Sequence, residues 1–107
     1  FLLEHGLWQD VDIYFNGKRF TQHDPVTGKY YYNDREHLIE EEDQDPRTYF
    51  EYVNPDHILS MSFEGPVCEM LYYGILPPVR REFDKIFERY GLYYEFGHHW
   101  NFSCYYI

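Results

Sequence analysis

An α+β fold, an antiparallel sheet of five to seven strands with two helices packed on one face, is what this sequence predicts. Three observations lead there. The chain is 22% aromatic, with 13 Tyr, 9 Phe and 2 Trp, and holds no Ala. Aromatic and β-branched side chains suit a pleated, half-buried surface, whereas Ala is the best helix former. Asn16-Gly17 follows an alternating run, which marks a tight hairpin. Finally, strand-like runs come first, two helix-period runs follow, and two strand-like runs close the chain. That segregation separates α+β from a βαβ arrangement. At 107 residues the chain is expected to form a single domain, residues 1–107, with one modest core.

The elements follow in order. In "VDIYFNGKRF", Val11, Ile13 and Phe15 alternate with Asp12 and Tyr14, and a type I′ turn at Asn16-Gly17 sets Ile13 opposite Phe20. "DPVTGK" makes a second turn, and Tyr30, Tyr31 and Tyr32 are expected to begin a third strand. "TGKYYYND" resembles the middle strand of a WW domain, but Trp8 lies far upstream and "EEEDQDP" holds no second Trp. Only the strand is kept. "RTYFEYV" reads as another strand ended by Asn54-Pro55-Asp56, and "HILSMSF" puts Leu59, Met61 and Phe63 on one face. Pro66 opens a short helix that Gly74 ends, with Val67, Met70 and Leu71 sharing a face. Pro77-Pro78 opens a longer helix with Val79, Phe83, Ile86, Phe87 and Tyr90 in its stripe, closed by Gly91. "LYYEF" and "NFSCYYI" complete a hairpin around "GHHW".

Charge narrows the function. The net charge is -10, most of it in the first half of the chain. Direct binding to nucleic acid or an anionic membrane is disfavoured, because such partners are held by Lys and Arg. A basic protein partner is the opposite expectation. "FLLEHGLW" lacks a signal peptide's basic start, its apolar run is broken at Glu4, and no 18 apolar residues run together, so a cytoplasmic protein is expected. Cys68 and Cys104 have no CxxC spacing and read as free thiols in a reducing compartment.

The densest charge is an acid run. Asp34, Glu36, Glu40, Glu41, Glu42, Asp43 and Asp45 lie close together, with Arg35 the one cation among them. Extended, the segment spans roughly 40 Å, so its carboxylates are sparser than B-DNA phosphates, about 3.4 Å apart per strand. With Asp10, Asp12, Glu51 or Asp56 alongside, the face approaches that density. Neighbouring tyrosines such as Tyr31-Tyr32 cannot all point inward, so some are exposed, and Tyr is enriched at interfaces. The acid run and Tyr31 are therefore the expected partner-binding residues.

Catalytic signals are weaker. His98-His99 are adjacent in a turn and chelate poorly, no HExxH occurs, and "DQDPRTYFE" lacks the calcium-loop ligand spacing. Cys68 sits near a helix start, where the dipole lowers a thiol pKa. No cofactor or metal is expected. The function expected is a small acidic binding protein that occupies the basic groove of a nuclease or other nucleic-acid-binding protein by nucleic-acid mimicry. An anti-CRISPR-like phage inhibitor and a nuclease-toxin immunity protein share this physics. Two alternatives remain: a metal-dependent or thiol hydrolase using His98, His99 or Cys68, and a homo-oligomeric structural protein pairing through tyrosine strands.

Overall fold

A computed structural model describes residues 1–49, 56–98 and 100–107. Its strands are β1 (Val11–Phe15), β2 (Lys18–Thr21), β3 (Ile39–Glu41), β4 (Leu59–Phe63), β5 (Leu92–His98) and β6 (Asn101–Tyr106). Helices α1 (Pro66–Tyr72) and α2 (Pro77–Arg89) lie between β4 and β5. The six strands form one sheet in the order β3-β2-β1-β4-β6-β5, and every neighbouring pair is antiparallel. This is the α+β arrangement expected.

Local chemistry sets the β1–β2 hairpin. Asn16 and Gly17 both take positive φ, 55° and 76°, as a type I′ turn requires, and Ile13 pairs with Phe20. Beyond the hairpin, the buried Gln22 extends the ladder with its side chain. Its Oε1 accepts from Val11 N–H at 2.9 Å and its Nε2 donates to Val11 C=O at 2.6 Å. One amide thus satisfies both backbone groups of a residue that β2 has ceased to cover.

Register then sorts the side chains. Val11 faces Phe63, Ile13 faces Met61, and Met61 faces Phe102 across β6. Successive strand residues point to opposite faces, so these apolar side chains share one face. Val67, Met70 and Leu71 of α1 and Phe83 of α2 close over it in one core with Leu7, Trp8 and Cys104. Phe102 sits at its centre with rings of Phe63, Phe83, Phe87 and Tyr94 around it. A hollow of about 400 Å³ remains beside this core, lined by apolar groups that include Phe1, Trp8, Ile13 and Ile86.

One expected strand is corrected, and the described start of another. Tyr30–Tyr32 is not a strand: Tyr30 makes one isolated bridge to His23, and the chain then leaves the sheet. Asn33, at φ 54°, accepts from Trp8 N–H at 2.8 Å and donates its own N–H to Trp8 C=O at 2.9 Å. That reciprocal clamp pulls the segment towards the N-terminal turn, and β3 takes the place beside β2. At the start of "RTYFEYV", Arg47 and Thr48 belong to a 3-10 turn, Pro46–Thr48, because Asp45 caps it and Pro46 fits its first position. Residues 50–53 of that expected strand lie outside the described residues.

Two predictions follow from this packing. Phe102→Ala should lower stability by about 3–5 kcal/mol, while Tyr106→Ala at the exposed strand end stays within about 0.5 kcal/mol; urea denaturation reads both. The second concerns alkaline pH. Tyr94 donates its hydroxyl to Asp84 and lies 3.4 Å from Arg80; burial, then Asp84, pushes its phenol from 10.0 up to about 12. Burial pushes the Cys104 thiol from 9.0 up to about 12. Both groups stay neutral when folded and ionise earlier when unfolded. Their contribution is therefore complete below pH 9 and is lost as pH rises towards 12. Tyr94→Phe should flatten the fall in urea midpoint between pH 10 and 12, and a wild-type midpoint unchanged to pH 11 would contradict the assignment.

Candidate functional site

The acid run is partly built into the sheet. Glu40 and Glu41 lie on β3, where register sets Glu41 beside Arg19 and Glu40 beside Phe20. Arg19 binds Glu41 at 2.6 Å, and Lys18 binds Glu40 at 2.7 Å and Glu42 at 3.6 Å. Hydrogen bonding to Glu40 raises the Lys18 pKa further. Asp45 grips Arg47 at 2.8 Å, and the Arg47 side chain holds its carboxyl below the usual range. Asp34 caps the Glu36 N–H and pairs with His37 at 2.7 Å, and that backbone bond lowers its pKa first. Tyr31 stacks on the same His37, rings 4.2 Å apart. Among the described residues Glu36 and Asp43 of the run have no ion pair, and the partner of Asp34, His37, is a cation only when protonated.

Strand pairing thus supplies the cations that the linear run lacks. As a three-residue edge strand crowded with charge, β3 also resists pairing with another chain. Of the run's seven carboxylates, Glu40, Glu41, Glu42 and Asp45 sit in ion pairs with Lys or Arg.

Unrelieved carboxylates gather elsewhere, on the face of the sheet away from the helices. Asp12, Tyr14, Tyr93, Glu95 and Tyr105 alternate with core-facing residues of β1, β5 and β6, so they occupy this face. At its β1–β4 end, Glu64 N–H donates to Asp10 C=O at 3.0 Å, one step beyond the Val11–Phe63 pair. Two acids are thereby set opposite each other, with Asp12 two residues along. These three carboxylates line a hollow of about 410 Å³ whose walls include the rings of Tyr14, Tyr30, Tyr49 and Trp100. Asp10 accepts the Tyr32 hydroxyl at 2.9 Å, while Asp12 and Glu64 have no ion pair among the described residues. Arg19 also lines this hollow, but Glu41 holds it and Tyr49 covers it at 5.6 Å.

A second hollow, of about 390 Å³, lies on the β5–β6 side and is lined by Asp56, Glu95, Tyr93, Tyr105 and Tyr106. Tyr93 and Tyr105 pair at 5.8 Å. Carboxylates beside aromatic faces bind ammonium and guanidinium groups through charge and the ring quadrupole together. Both hollows have that composition.

Of the catalytic candidates, Cys68 lies on α1 and His98 at the end of β5. Cys68 belongs to the buried core, and burial, then Glu69 and Glu64, pushes its thiol up; the lowered pKa expected from the helix start is overturned. His98 ends β5 and stacks on Trp100 at 5.1 Å, and His99 lies outside the described residues. Ser60 Oγ lies 3.2 Å from His57 Nδ1 and 2.7 Å from Ser103 Oγ, but Ser60 is fully buried, so no substrate reaches it. No group of three or more His, Cys, Asp or Glu among the described residues is placed to hold a metal ion.

Sequence reasoning missed Glu64, Glu95, Tyr49 and Trp100. Glu95 was open to the period of "LYYEF", which sets it with Tyr93. Glu64 was not, because its place depends on pairing between strands far apart in the chain.

The burial of both thiols gives a direct test. In the native protein at pH 8 neither should react at an appreciable rate with an aromatic disulfide reagent, and two equivalents should react in urea. Fast native labelling at Cys68 would instead favour the thiol-enzyme alternative. No protein-family model, curated protein or solved structure matches the chain.

Proposed function

We propose that the protein is a stoichiometric binding protein that offers the helix-free face of its sheet to a basic partner. The natural partner class is a nuclease or other nucleic-acid-binding protein, whose phosphate-binding groove the acidic face occupies and blocks. The observation that carries this reading is the hollow where Asp10, Asp12 and Glu64 share tyrosine and tryptophan walls and none of the three has an ion pair among the described residues, Arg19 in the same lining being held by Glu41.

The physics of such a complex follows from charge and rings. A net charge of -10 steers a basic partner and raises the encounter rate, with strong dependence on salt. Rigid aromatic walls then desolvate an entering guanidinium and slow its release. The paired carboxylates of the acid run contribute less, since breaking Lys18–Glu40 or Arg19–Glu41 offsets any new pair. Glu36 and Asp43 extend the negative field at its rim. The two buried thiols, neither joined in a disulfide, suit a cytoplasmic setting, and no helix among the described residues is long and apolar enough to cross a membrane.

Charge-matched variants test the reading. Octa-arginine labelled for fluorescence anisotropy serves as the probe at physiological salt. Asp12→Lys with Glu64→Lys should weaken binding by about tenfold or more, whereas Glu36→Lys with Asp43→Lys, equal in net charge change, should cost about threefold or less. Equal losses from the two pairs would mean that net charge alone governs binding and would remove the hollow as its seat.

A further inference from the structure

The two edges of the sheet are built differently. β3 is three residues long and carries Glu40 and Glu41. β5 has seven residues, LYYEFGH, with Glu95 its one carboxylate, and among the described residues no strand lies on its outer side. Hydrogen-bond phase tells which backbone groups this edge exposes. Ile107 N–H donates to Gly91 C=O at 2.9 Å, which makes 91 and 107 a hydrogen-bonded pair in register with Leu92↔Tyr106. Antiparallel ladders alternate, so the N–H and C=O groups of Leu92, Tyr94 and Phe96 point away from β6. Three donors and three acceptors thus form a ready template for another strand.

The side chains beside that template set the chemistry of its occupant. Leu92, Tyr94 and Phe96 face the helix side, where Tyr94 packs on Phe87 and Phe102. Tyr93 and Glu95 face the other side and line the hollow that Asp56, Tyr105 and Tyr106 complete. Neither Glu95 nor Asp56 has an ion pair among the described residues. A strand laid along β5 would project alternate residues over this hollow, where a carboxylate pair and tyrosine faces favour Lys or Arg.

We propose that β5 is a strand-addition site for an extended segment of the partner, with Arg or Lys at alternate positions directed over Glu95 and Asp56. This rests on the reading of a basic partner and adds how it is held: main-chain hydrogen bonds give register, and the hollow selects charge. A second copy of this chain fits less well, since it carries the same charge of -10 and no cation on β5.

Amide exchange on the ¹⁵N-labelled protein tests this with synthetic peptides: one alternating Val and Arg over seven residues, its Val/Glu counterpart, and the Val/Arg peptide N-methylated on alternate amides in both phases. Saturating Val/Arg peptide should slow exchange at Leu92, Tyr94 and Phe96 by about tenfold or more. One N-methylated phase should bind like the parent and the other lose binding, and Glu95→Lys should weaken the Val/Arg peptide by about tenfold. Peptide binding without slowing at those three amides would overturn strand addition and leave the basic-partner reading intact. Equal slowing by the Val/Glu peptide would keep the edge as a template but overturn the choice of a basic occupant. Slowing that grows with protein concentration in the absence of peptide would assign the edge to a second copy and overturn the proposal.

Discussion

Phe102 and its surrounding rings hold the molecule together, and their position rests on the period-two alternation of β4 and β6. With Met61 opposite Phe102 and Leu59 opposite Cys104, the apolar residues of the central strands all reach one face, and both helices are committed to it. The intervening residues of the same strands must then take the other face. A one-residue slip would exchange the two sets. The acids and tyrosines of the helix-free face are thus a consequence of how the core is made.

That consequence explains why similar charges behave differently in two places. Along β3, antiparallel pairing with β2 brings Lys18 and Arg19 against Glu40, Glu41 and Glu42, so a run that repels itself in sequence becomes ion-paired in the fold. Such exposed pairs contribute little stability, about 0–1 kcal/mol each, but they cancel charge. At the β1–β4 junction, pairing does the reverse and sets Asp10 beside Glu64. Like charges placed opposite each other on a sheet are destabilising. A fold that pairs most of one acidic cluster with Lys and Arg, and leaves another, walled by aromatic rings, with no ion pair among the described residues, concentrates its unrelieved electrostatic attraction on the second.

Features coded over short distances were legible in the sequence. Asn16-Gly17, Pro66, Pro77-Pro78 and Gly91 each mark a local backbone requirement, and the elements they bound appear where expected, including the Ile13–Phe20 pair. Composition misled at Tyr30–Tyr32, where strand-forming side chains lost to a two-bond clamp between Asn33 and Trp8. It gave no signal for the strand at Ile39–Glu41, where a charge-rich stretch pairs once the cations of β2 are set beside it. The site was the least legible part. Asp10 and Asp12 were visible as acids, but their company with Glu64 depends on β1 pairing with β4 across an intervening hairpin, loop and strand, and no local signal specifies that.

The most direct test of the helix-free face as working surface is residue-resolved hydroxyl-radical footprinting of the tyrosines and tryptophans with and without octa-arginine at physiological salt. Tyr30, Tyr49 and Tyr93 are exposed on the rims of the two hollows, and Tyr72, Tyr73 and Tyr90 are exposed around the helices. Protection of Tyr30, Tyr49, Tyr93 and Trp100 with unchanged labelling at Tyr72, Tyr73 and Tyr90 is the predicted result. Uniform protection of both sets, or protection at the helix tyrosines alone, would contradict it.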